Sequence, residues 1–171
     1  MTRTVVLDSD ALIKLGKAGL LSAAVRAWRC VVPEEVYTET VVRGLQEAHP
    51  DAEAIAALFG QGLIRRRVRR KRSVPRLGRG LGAGERAAAA LLLQAHADFV
   101  VTDDRAFLKA LREAGLPHVT SALALVELAR SGVLTLQDAA AGLERLRPMI
   151  RQDQYHAAEA DLAALGTPKG G

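Results

Sequence analysis

The stretch T-V-V-L-D-S-D-A-L-I-K-L, Thr4 to Leu15, decides the fold. Its apolar run, Val5 to Leu7, ends abruptly at Asp8, and apolar residues then return with nearly helical spacing. We interpret this pattern as a buried strand that leads directly into a helix. A strand that is apolar on both faces belongs inside a parallel sheet covered by helices, and ligands bind outside the carboxyl ends of such strands. Asp8 lies at that end.

A second stretch has the same organisation. Phe99 to Val101 forms a short apolar run and is followed by Thr102-Asp103-Asp104. One aspartate of this pair is expected to cap the next helix and the other to act as a ligand, but the sequence leaves open which is which. Because parallel strands end at the same edge of a sheet, carboxylates from the two stretches should lie close together.

The remaining chain supplies helices and short strands around these two. Glu34 to Val42, after Pro33, is predicted to be a helix, and a strongly helical alanine- and leucine-rich segment follows Gly84-Glu85. Leu63 to Val68 is predicted to be a short edge strand that leads into a basic loop. The predicted fold is therefore α/β, a three-layer α/β/α sandwich with a central parallel sheet. We expect a single domain over 1–165, with the helices of 136–165 as a C-terminal extension and 166–171 as a frayed tail.

Composition agrees with one domain that has a single core. The chain has 171 residues, of which 49% are apolar and only 4% aromatic, which suits helices packed on a sheet. The single cysteine, Cys30, has no intramolecular disulfide partner, and no apolar run approaches the roughly 20 residues needed to span a bilayer. Early charges at Asp8 and Asp10 leave no signal-peptide core. We expect a cytoplasmic protein without a membrane segment.

Positive charge is concentrated in one segment. The net charge is +5, and the segment R-R-R-V-R-R-K-R from Arg65 to Arg72 carries seven positive charges by itself. Without it the net charge would be −2, so the basicity is local. The segment is either a solvated loop or a surface that holds RNA. The candidate RNA-binding residues are Arg65, Arg66, Arg67, Arg69, Arg70, Lys71 and Arg72.

Several carboxylates at one edge of a sheet are oxygen ligands of the type that Mg²⁺ and Mn²⁺ prefer. No histidine or cysteine cluster accompanies them, since the four histidines are far apart, and this disfavours zinc. Such an ion polarises a phosphodiester and lowers the pKa of an attacking water, which is the chemistry of metal-dependent nucleases.

Four motifs in order resemble the acidic motifs of the PIN-domain family. They are L-D-S-D-A-L-I-K-L, V-P-E-E-V-Y-T-E, L-G-A-G-E-R-A-A-A-A-L-L-L and V-T-D-D-R-A-F, and the resemblance extends from about Thr4 to Gly132. It implies an α/β/α sandwich with a parallel sheet and Mg²⁺- or Mn²⁺-dependent cleavage of RNA, often as the toxin of a VapC-like toxin–antitoxin pair. A related branch that carries the doubled aspartate has no defined function. The implied partners are RNA, an antitoxin protein and a second copy of the chain in a homodimer.

The resemblance also implies roles for individual residues. Asp8, Glu85 and Asp103 or Asp104 match the metal-binding carboxylates, and Glu39 matches a further catalytic acid. Asp10 and Ser121 are expected to lie next to these ligands and to hold them in position without binding the metal directly. The candidate catalytic residues are therefore Asp8, Glu39, Glu85, Asp103 and Asp104.

Each carboxylate also has a purely structural interpretation. Asp8 and Glu85 are acceptable at helix N-termini on electrostatic grounds alone, and Glu39 fits equally a ligand and a solvated helix face. Two other functions stay open. One is a non-catalytic RNA- or partner-binding module on a PIN-like fold. The other is a haloacid dehalogenase-like phosphatase built on Asp8-Ser9-Asp10, which would leave Glu39 and Glu85 unused.

Overall fold

The computed structural model describes residues 1–68 and 76–167. Its centre is a five-stranded sheet in which every pair of neighbouring strands is parallel. The strands are β1 (Thr4–Leu7), β2 (Arg29–Pro33), β3 (Ile64–Arg67), β4 (Phe99–Val101) and β5 (His118–Val119). Their order across the sheet is β3-β2-β1-β4-β5, so β1 is central.

Helices connect the strands and extend the chain beyond the sheet. They are α1 (Ser9–Lys17), α2 (Leu21–Ala27), α3 (Glu34–Tyr37), α4 (Gly44–Gln46), α5 (Ala52–Gly60), α6 (Ala83–Gln94), α7 (Arg105–Glu113), α8 (Ser121–Arg130), α9 (Leu136–Leu146) and α10 (Gln152–Gly166). A π-helical turn, Thr38–Arg43, joins α3 to α4, and a 3₁₀ turn, Arg147–Met149, precedes α10.

Alternation along the strands produces two separate hydrophobic cores. Val5 and Leu7 of β1 face one side, where they pack with residues of α1, α2, α5 and α8. Val6 faces the other side and packs with α6 and α7. Apolar residues of α9 and α10, among them Leu146 and Leu162, join the first core. The predicted three-layer α/β/α sandwich with a parallel sheet is confirmed.

The strand order contains a switch point next to β1. The chain proceeds from β1 to β2 and β3 in one direction and then returns to place β4 on the other side of β1. The carboxyl ends of β1 and β4 are therefore neighbours, with Leu7 paired to Val101. In open α/β sheets this is the place where ligands bind.

The segment after Pro33 differs from the continuous helix predicted over Glu34 to Val42. It begins as α3 but widens into the π-helical turn at Thr38–Arg43 before regular helix resumes. Such turns are rare and frequently occur at functional sites. Local propensity does not reveal them, because the side chains that favour a π turn also favour an α-helix.

The helices also bear on the predicted C-terminal tail and on the absence of a predicted membrane segment. Gly166 is the last residue of α10, so the helix includes one residue of the predicted 166–171 tail, and 168–171 lie outside the described residues. The apolar segment of α6 is buried from Ala87 to Leu92, and Ala88, Ala89, Leu91 and Leu92 belong to the second core, whereas Leu93 is partly exposed. None of the described helices is both long and apolar enough to cross a membrane.

Candidate active site

An acidic cleft of about 940 Å³ opens beside the carboxyl ends of the central strands. Among the residues that the structure describes, seven carboxylates and one basic side chain, Arg43, line it. We call this cavity the acidic cleft. Its carboxylates are Asp8, Asp10, Glu34, Glu35, Glu39, Glu85 and Asp104. Four of the five predicted catalytic residues are thus brought together, and Asp103 is the exception.

Asp8 ends β1 and caps α1. Its Oδ1 accepts a hydrogen bond from the Ala11 backbone N–H at 2.8 Å, and the residue is 4% exposed. The pKa of Asp8 is raised to about 7, mainly by burial; the charges of Asp10 and Asp103 add to the rise, and the Thr102 hydroxyl and the Ala11 N–H oppose it. The Asp8 carboxylate therefore caps α1 and is at the same time a candidate metal ligand.

The two aspartates after β4 point in different directions. Asp104 caps α7, because its Oδ1 accepts from the Phe107 N–H at 2.7 Å, and it also lines the acidic cleft. Asp103 is buried behind it, and its Oδ1 accepts from the backbone N–H of Ser121 at 2.9 Å. Asp104 is thus both the helix cap and the carboxylate that faces the cleft. The sequence pattern had predicted one aspartate for each of these roles. Of the two aspartates, only Asp104 is among the residues that line the acidic cleft.

Glu39 reaches the cleft from the π-helical turn. Its Oε2 accepts a hydrogen bond from the Ser9 hydroxyl at 2.6 Å, across 30 positions of sequence. This bond fixes the side chain against the start of α1, one residue after Asp8. Of the two interpretations left open for Glu39, the geometry favours the one in which it belongs to the site.

Glu85 enters from the first turn of α6, and Gly82 makes room for its carboxylate. A Cβ atom on Gly82 would lie 2.6 Å from Oε2 of Glu85, so only glycine accommodates the observed position of that carboxylate. A Cβ on Gly84 would lie 3.9 Å from Oε2 of Glu39, which is an ordinary contact. The glutamates of the second and third motifs therefore approach the same wall of the cleft.

Asp10 and Ser121, the residues predicted to support the ligands, lie in different places. Asp10 lines the cleft, and its Oδ2 lies 2.7 Å from the ammonium group of Lys14. Ser121 is fully buried, and its backbone N–H, rather than its side chain, holds Asp103. Lys14 was not singled out in the sequence, because a lysine within a helix ordinarily indicates a solvated face.

The basic segment is only partly within the described residues. Arg65, Arg66 and Arg67 form most of β3, the edge strand, and are exposed. Arg66 lies over the Tyr37 ring at 4.6 Å and its Nη1 is 3.4 Å from Oε1 of Glu34, a cleft residue. The other four candidate RNA-binding residues, Arg69, Arg70, Lys71 and Arg72, lie outside the described residues.

Sequence reasoning missed Arg43 and gave no role to Glu34 and Glu35. The pattern did contain a signal, since Glu35, Glu39 and Arg43 recur at intervals of four residues, and all three line the cleft. The interval alone is weak evidence, because charged side chains at this spacing are also typical of solvated helices.

The chemistry of the donors fits a divalent ion of the Mg²⁺ or Mn²⁺ type. All candidate ligands are carboxylates. Within the described residues no cationic side chain pairs with the buried Asp8, so a metal ion would compensate its charge. Over residues 1–68 and 76–167, no three acidic, histidine or cysteine side chains converge closely enough to hold a metal ion. The fit therefore rests on donor type and on placement around one cleft.

The fold and the acidic cleft define an α/β/α protein with a carboxylate-lined site at the switch point of its sheet. Comparison with known proteins agrees with this class. The family model DUF3368, described as a PIN domain, matches residues 4–161. The chain therefore belongs to the PIN-domain family.

A solved structure has a similar fold at low sequence identity. It is a PilT N-terminus domain protein, SSO1118, from the hyperthermophilic archaeon Sulfolobus solfataricus P2. The TM-score is 0.51 at 16% identity, and the match covers 77% of this chain and 94% of that one. No curated protein sequence shows significant similarity to this chain. PIN domains are commonly nucleases and typically use divalent metal ions.

Proposed function

We propose that this protein is a metal-dependent endoribonuclease that cleaves RNA phosphodiester bonds in the acidic cleft. One observation carries the proposal: carboxylates from three separate motifs, at Asp8, Glu85 and Asp104, line a single cleft at the switch point of a PIN-domain sheet. Glu39, from the motif V-P-E-E-V-Y-T-E, also lines this cleft.

Each of these residues has a proposed role. Asp8, Glu85 and Asp104 would hold the ion, which is Mg²⁺ or Mn²⁺ by donor type. When bound, such an ion polarises the phosphate and makes a coordinated water more acidic. Glu39, oriented by the Ser9 hydroxyl, is placed to accept a proton at its carboxylate or to hold a water. The carboxyl group of Asp8 must be deprotonated before it binds an ion.

An RNA substrate is supported by the local placement of positive charge. A cleft with seven carboxylates repels a polyanion, so the attraction has to come from its borders. Arg43 lines the cleft itself, and Arg66 on β3 pairs with Glu34 of the cleft wall. Strand β3, which carries Arg66, therefore borders the cleft. Arginine side chains bind phosphate groups well.

The biological role that we propose is that of a toxin in a toxin–antitoxin pair. The order of acidic motifs from Asp8 to Asp104 supports this role by its resemblance to VapC-like toxins. Its partners would be RNA, an antitoxin protein and a second copy of the chain. Controlled expression in a bacterial host tests the role: wild type should arrest growth, and Asp8→Asn should not. An overlapping upstream gene for a small DNA-binding protein would identify the antitoxin.

Cleavage of end-labelled single-stranded RNA by the purified protein tests the activity. We expect cleavage with Mn²⁺ or Mg²⁺, none with a chelator, and none for Asp8→Asn or Glu85→Gln. The matched control is Glu53→Gln, which neutralises an exposed carboxylate in the first turn of α5, away from the acidic cleft. This variant should cleave as wild type does.

The two alternatives predict different results in the same experiment. A non-catalytic PIN-like module would bind RNA without cleaving it under any metal condition. A phosphatase would release phosphate from a small phosphomonoester and would not require Glu39 or Glu85. Membership of the PIN-domain family and the position of both glutamates in the cleft favour the nuclease.

A further inference from the structure

A lysine lies between two carboxylates directly behind the acidic cleft. Lys14, in α1, places its Nζ 2.7 Å from Oδ2 of Asp10 and 3.3 Å from Oδ2 of Asp103. Its side chain is only 16% exposed. The ammonium group thus bridges α1 and the turn after β4, the two segments that also supply Asp8 and Asp104 to the cleft.

The two oxygens of Asp103 have different surroundings: Oδ1 is hydrogen-bonded, whereas the buried Oδ2 has no hydrogen bond among the described residues and only an ion-pair contact. Oδ1 accepts the Ser121 N–H at 2.9 Å, and Oδ2 faces Lys14. The side chain is 2% exposed, and Asp103 is not among the residues that line the cleft. A charged carboxylate at this depth requires a cationic partner, and Lys14 provides it.

Lys14 also changes the charge that the site presents to an incoming ion. Without the lysine, Asp10 and Asp103 would present two negative charges close to Asp8, and such a group attracts a second divalent ion. With the lysine, one of the two charges is compensated, and an ion placed between the two carboxylates would meet the ammonium group.

We propose that Lys14 is a built-in counter-ion that keeps Asp103 and Asp10 out of the metal's coordination shell and thereby limits the acidic cleft to one divalent ion. The inference rests on the proposed metal-dependent function and deepens it. It makes Lys14 a positioning residue: it touches neither substrate nor metal, and it acts through the two aspartates. It also makes Asp104, and not Asp103, the ligand from the doubled aspartate.

Counting bound Mn²⁺ tests the inference without measuring activity. Isothermal titration calorimetry, with electron paramagnetic resonance of free Mn²⁺ as a second readout, gives the number of ions per chain. We expect one ion for wild type and two for Lys14→Met. Lys14→Arg should return to one ion because the charge is restored. The double variant Lys14→Met, Asp103→Asn should also bind one ion, because the second site has lost a carboxylate.

The matched control is Lys17→Met, which removes a positive charge from the exposed end of the same helix and should leave one ion. A count of one in Lys14→Met, with its circular dichroism and melting unchanged, would overturn the inference while the nuclease proposal stands. Absence of Mn²⁺ binding in wild type would overturn both, so the two failures are distinguishable.

A second pair of variants covers the case in which Lys14→Met does not fold. Asp104→Asn should weaken Mn²⁺ binding more than Asp103→Asn does, because only Asp104 lines the acidic cleft. Equal losses in the two variants, or a larger loss in Asp103→Asn, would show that Asp103 is itself a ligand and would overturn the proposal.

Discussion

Ser9 donates its hydroxyl hydrogen to Oε2 of Glu39 at 2.6 Å, and this bond joins the start of α1 to the π-helical turn across the acidic cleft. Ser9 follows Asp8 directly, so the bond relates the acidic residue of the second motif to the aspartate of the first. The cleft is therefore an organised arrangement of carboxylates and not only a place where strand ends meet.

Asp8→Asn should abolish RNA cleavage while preserving the fold. Asparagine has nearly the same volume and also caps helices, so the bond from the Ala11 N–H is retained. Loss of the ligand charge should lower activity by roughly 100-fold or more. Because a buried charge is removed, the melting temperature at pH 8 without metal should equal or exceed that of wild type. Full activity of the variant with Mn²⁺ would contradict the role of Asp8.

Mn²⁺ should raise the melting temperature of wild type. An ion that binds only the native state at 100 times its Kd stabilises by about 2.7 kcal/mol, which corresponds to roughly 5–10 °C for a chain of this size. Glu85→Gln and Asp104→Asn should reduce the rise, whereas Glu53→Gln should not. Differential scanning fluorimetry measures the effect, and a melting curve that millimolar Mn²⁺ leaves in place would indicate that the carboxylates do not act together.

The raised pKa of Asp8 gives the stability of the metal-free protein a definite pH dependence. Burial raises this pKa from 3.8 to about 7, so the folded state binds a proton that the unfolded state has released between these values. The contribution of Asp8 is therefore fully present below pH 4 and is lost as the pH rises to about 7. In Asp8→Asn this decline should be absent, and urea unfolding between pH 4 and 8 measures the difference.

Metal binding should show the opposite dependence on pH. Because Mn²⁺ binds the deprotonated carboxylate of Asp8, its affinity should rise by about tenfold per pH unit below pH 7 and level off above it. Titration calorimetry in buffers of different ionisation enthalpy detects the proton released at pH 6. An affinity that is independent of pH from 5.5 to 8 would show that Asp8 is not a ligand or is not protonated.

Two neighbouring glycines provide a matched pair of substitutions. Gly82→Ala would place a Cβ 2.6 Å from Oε2 of Glu85 and should displace this carboxylate, whereas at Gly84 the nearest atom to a Cβ is 3.9 Å away. Gly82→Ala should therefore weaken Mn²⁺ binding by about tenfold, in line with other changes that misplace a ligand. Gly84→Ala should retain binding and gain some helix stability. Equal affinities in the two variants would show that the position of Glu85 does not matter.

The basic segment should control the salt dependence of RNA binding. If all seven charges from Arg65 to Arg72 contact single-stranded RNA, the slope of log affinity against log salt is about −5, and each contact contributes about −0.7. Replacing all seven by glutamine should remove most of the slope without affecting Mn²⁺ binding, because phosphate contacts position the substrate and do not build the metal site. Fluorescence anisotropy at several salt concentrations measures the slope.

A smaller change within the described residues calibrates this result. Arg65→Gln with Arg67→Gln should reduce the magnitude of the slope by about 1.4, and Arg66 is left in place because it also contacts Tyr37 and Glu34. Arg112→Gln serves as the control, since α7 connects β4 and β5 at the other end of the sheet. An unchanged slope in the seven-residue variant would mean that RNA is held elsewhere.

The sequence predicted the sheet and most of the cleft because their signals are local. Apolar runs that end in aspartate identified β1 and β4, and their parallel arrangement brought Asp8 and Asp104 to one edge. The doubled aspartate remained ambiguous, since helix caps and metal ligands favour the same residue type. The start of α7 at Arg105 resolves this geometrically: the residue just before it is the cap and also faces the cleft.

Other features depended on contacts between distant segments and were not predictable. The π-helical turn that carries Glu39 and Arg43 has no distinctive composition, and its bond to Ser9 spans 30 positions. The role of Lys14 depends on Asp103, which lies on another strand's connection and is brought near only by the pairing of β1 with β4. These are tertiary relationships, and helical periodicity within one segment carries no information about them.

Anomalous diffraction from crystals grown with Mn²⁺ tests the central claim most directly, because it locates the ion in relation to named carboxylates. We predict one anomalous peak per chain, within the acidic cleft and within coordination distance of Asp8, Glu85 and Asp104. Lys14 should remain between Asp10 and Asp103. A peak outside the cleft, or a cleft without an ion in crystals whose protein binds Mn²⁺ in solution, would contradict the claim that these carboxylates form the metal centre of a nuclease.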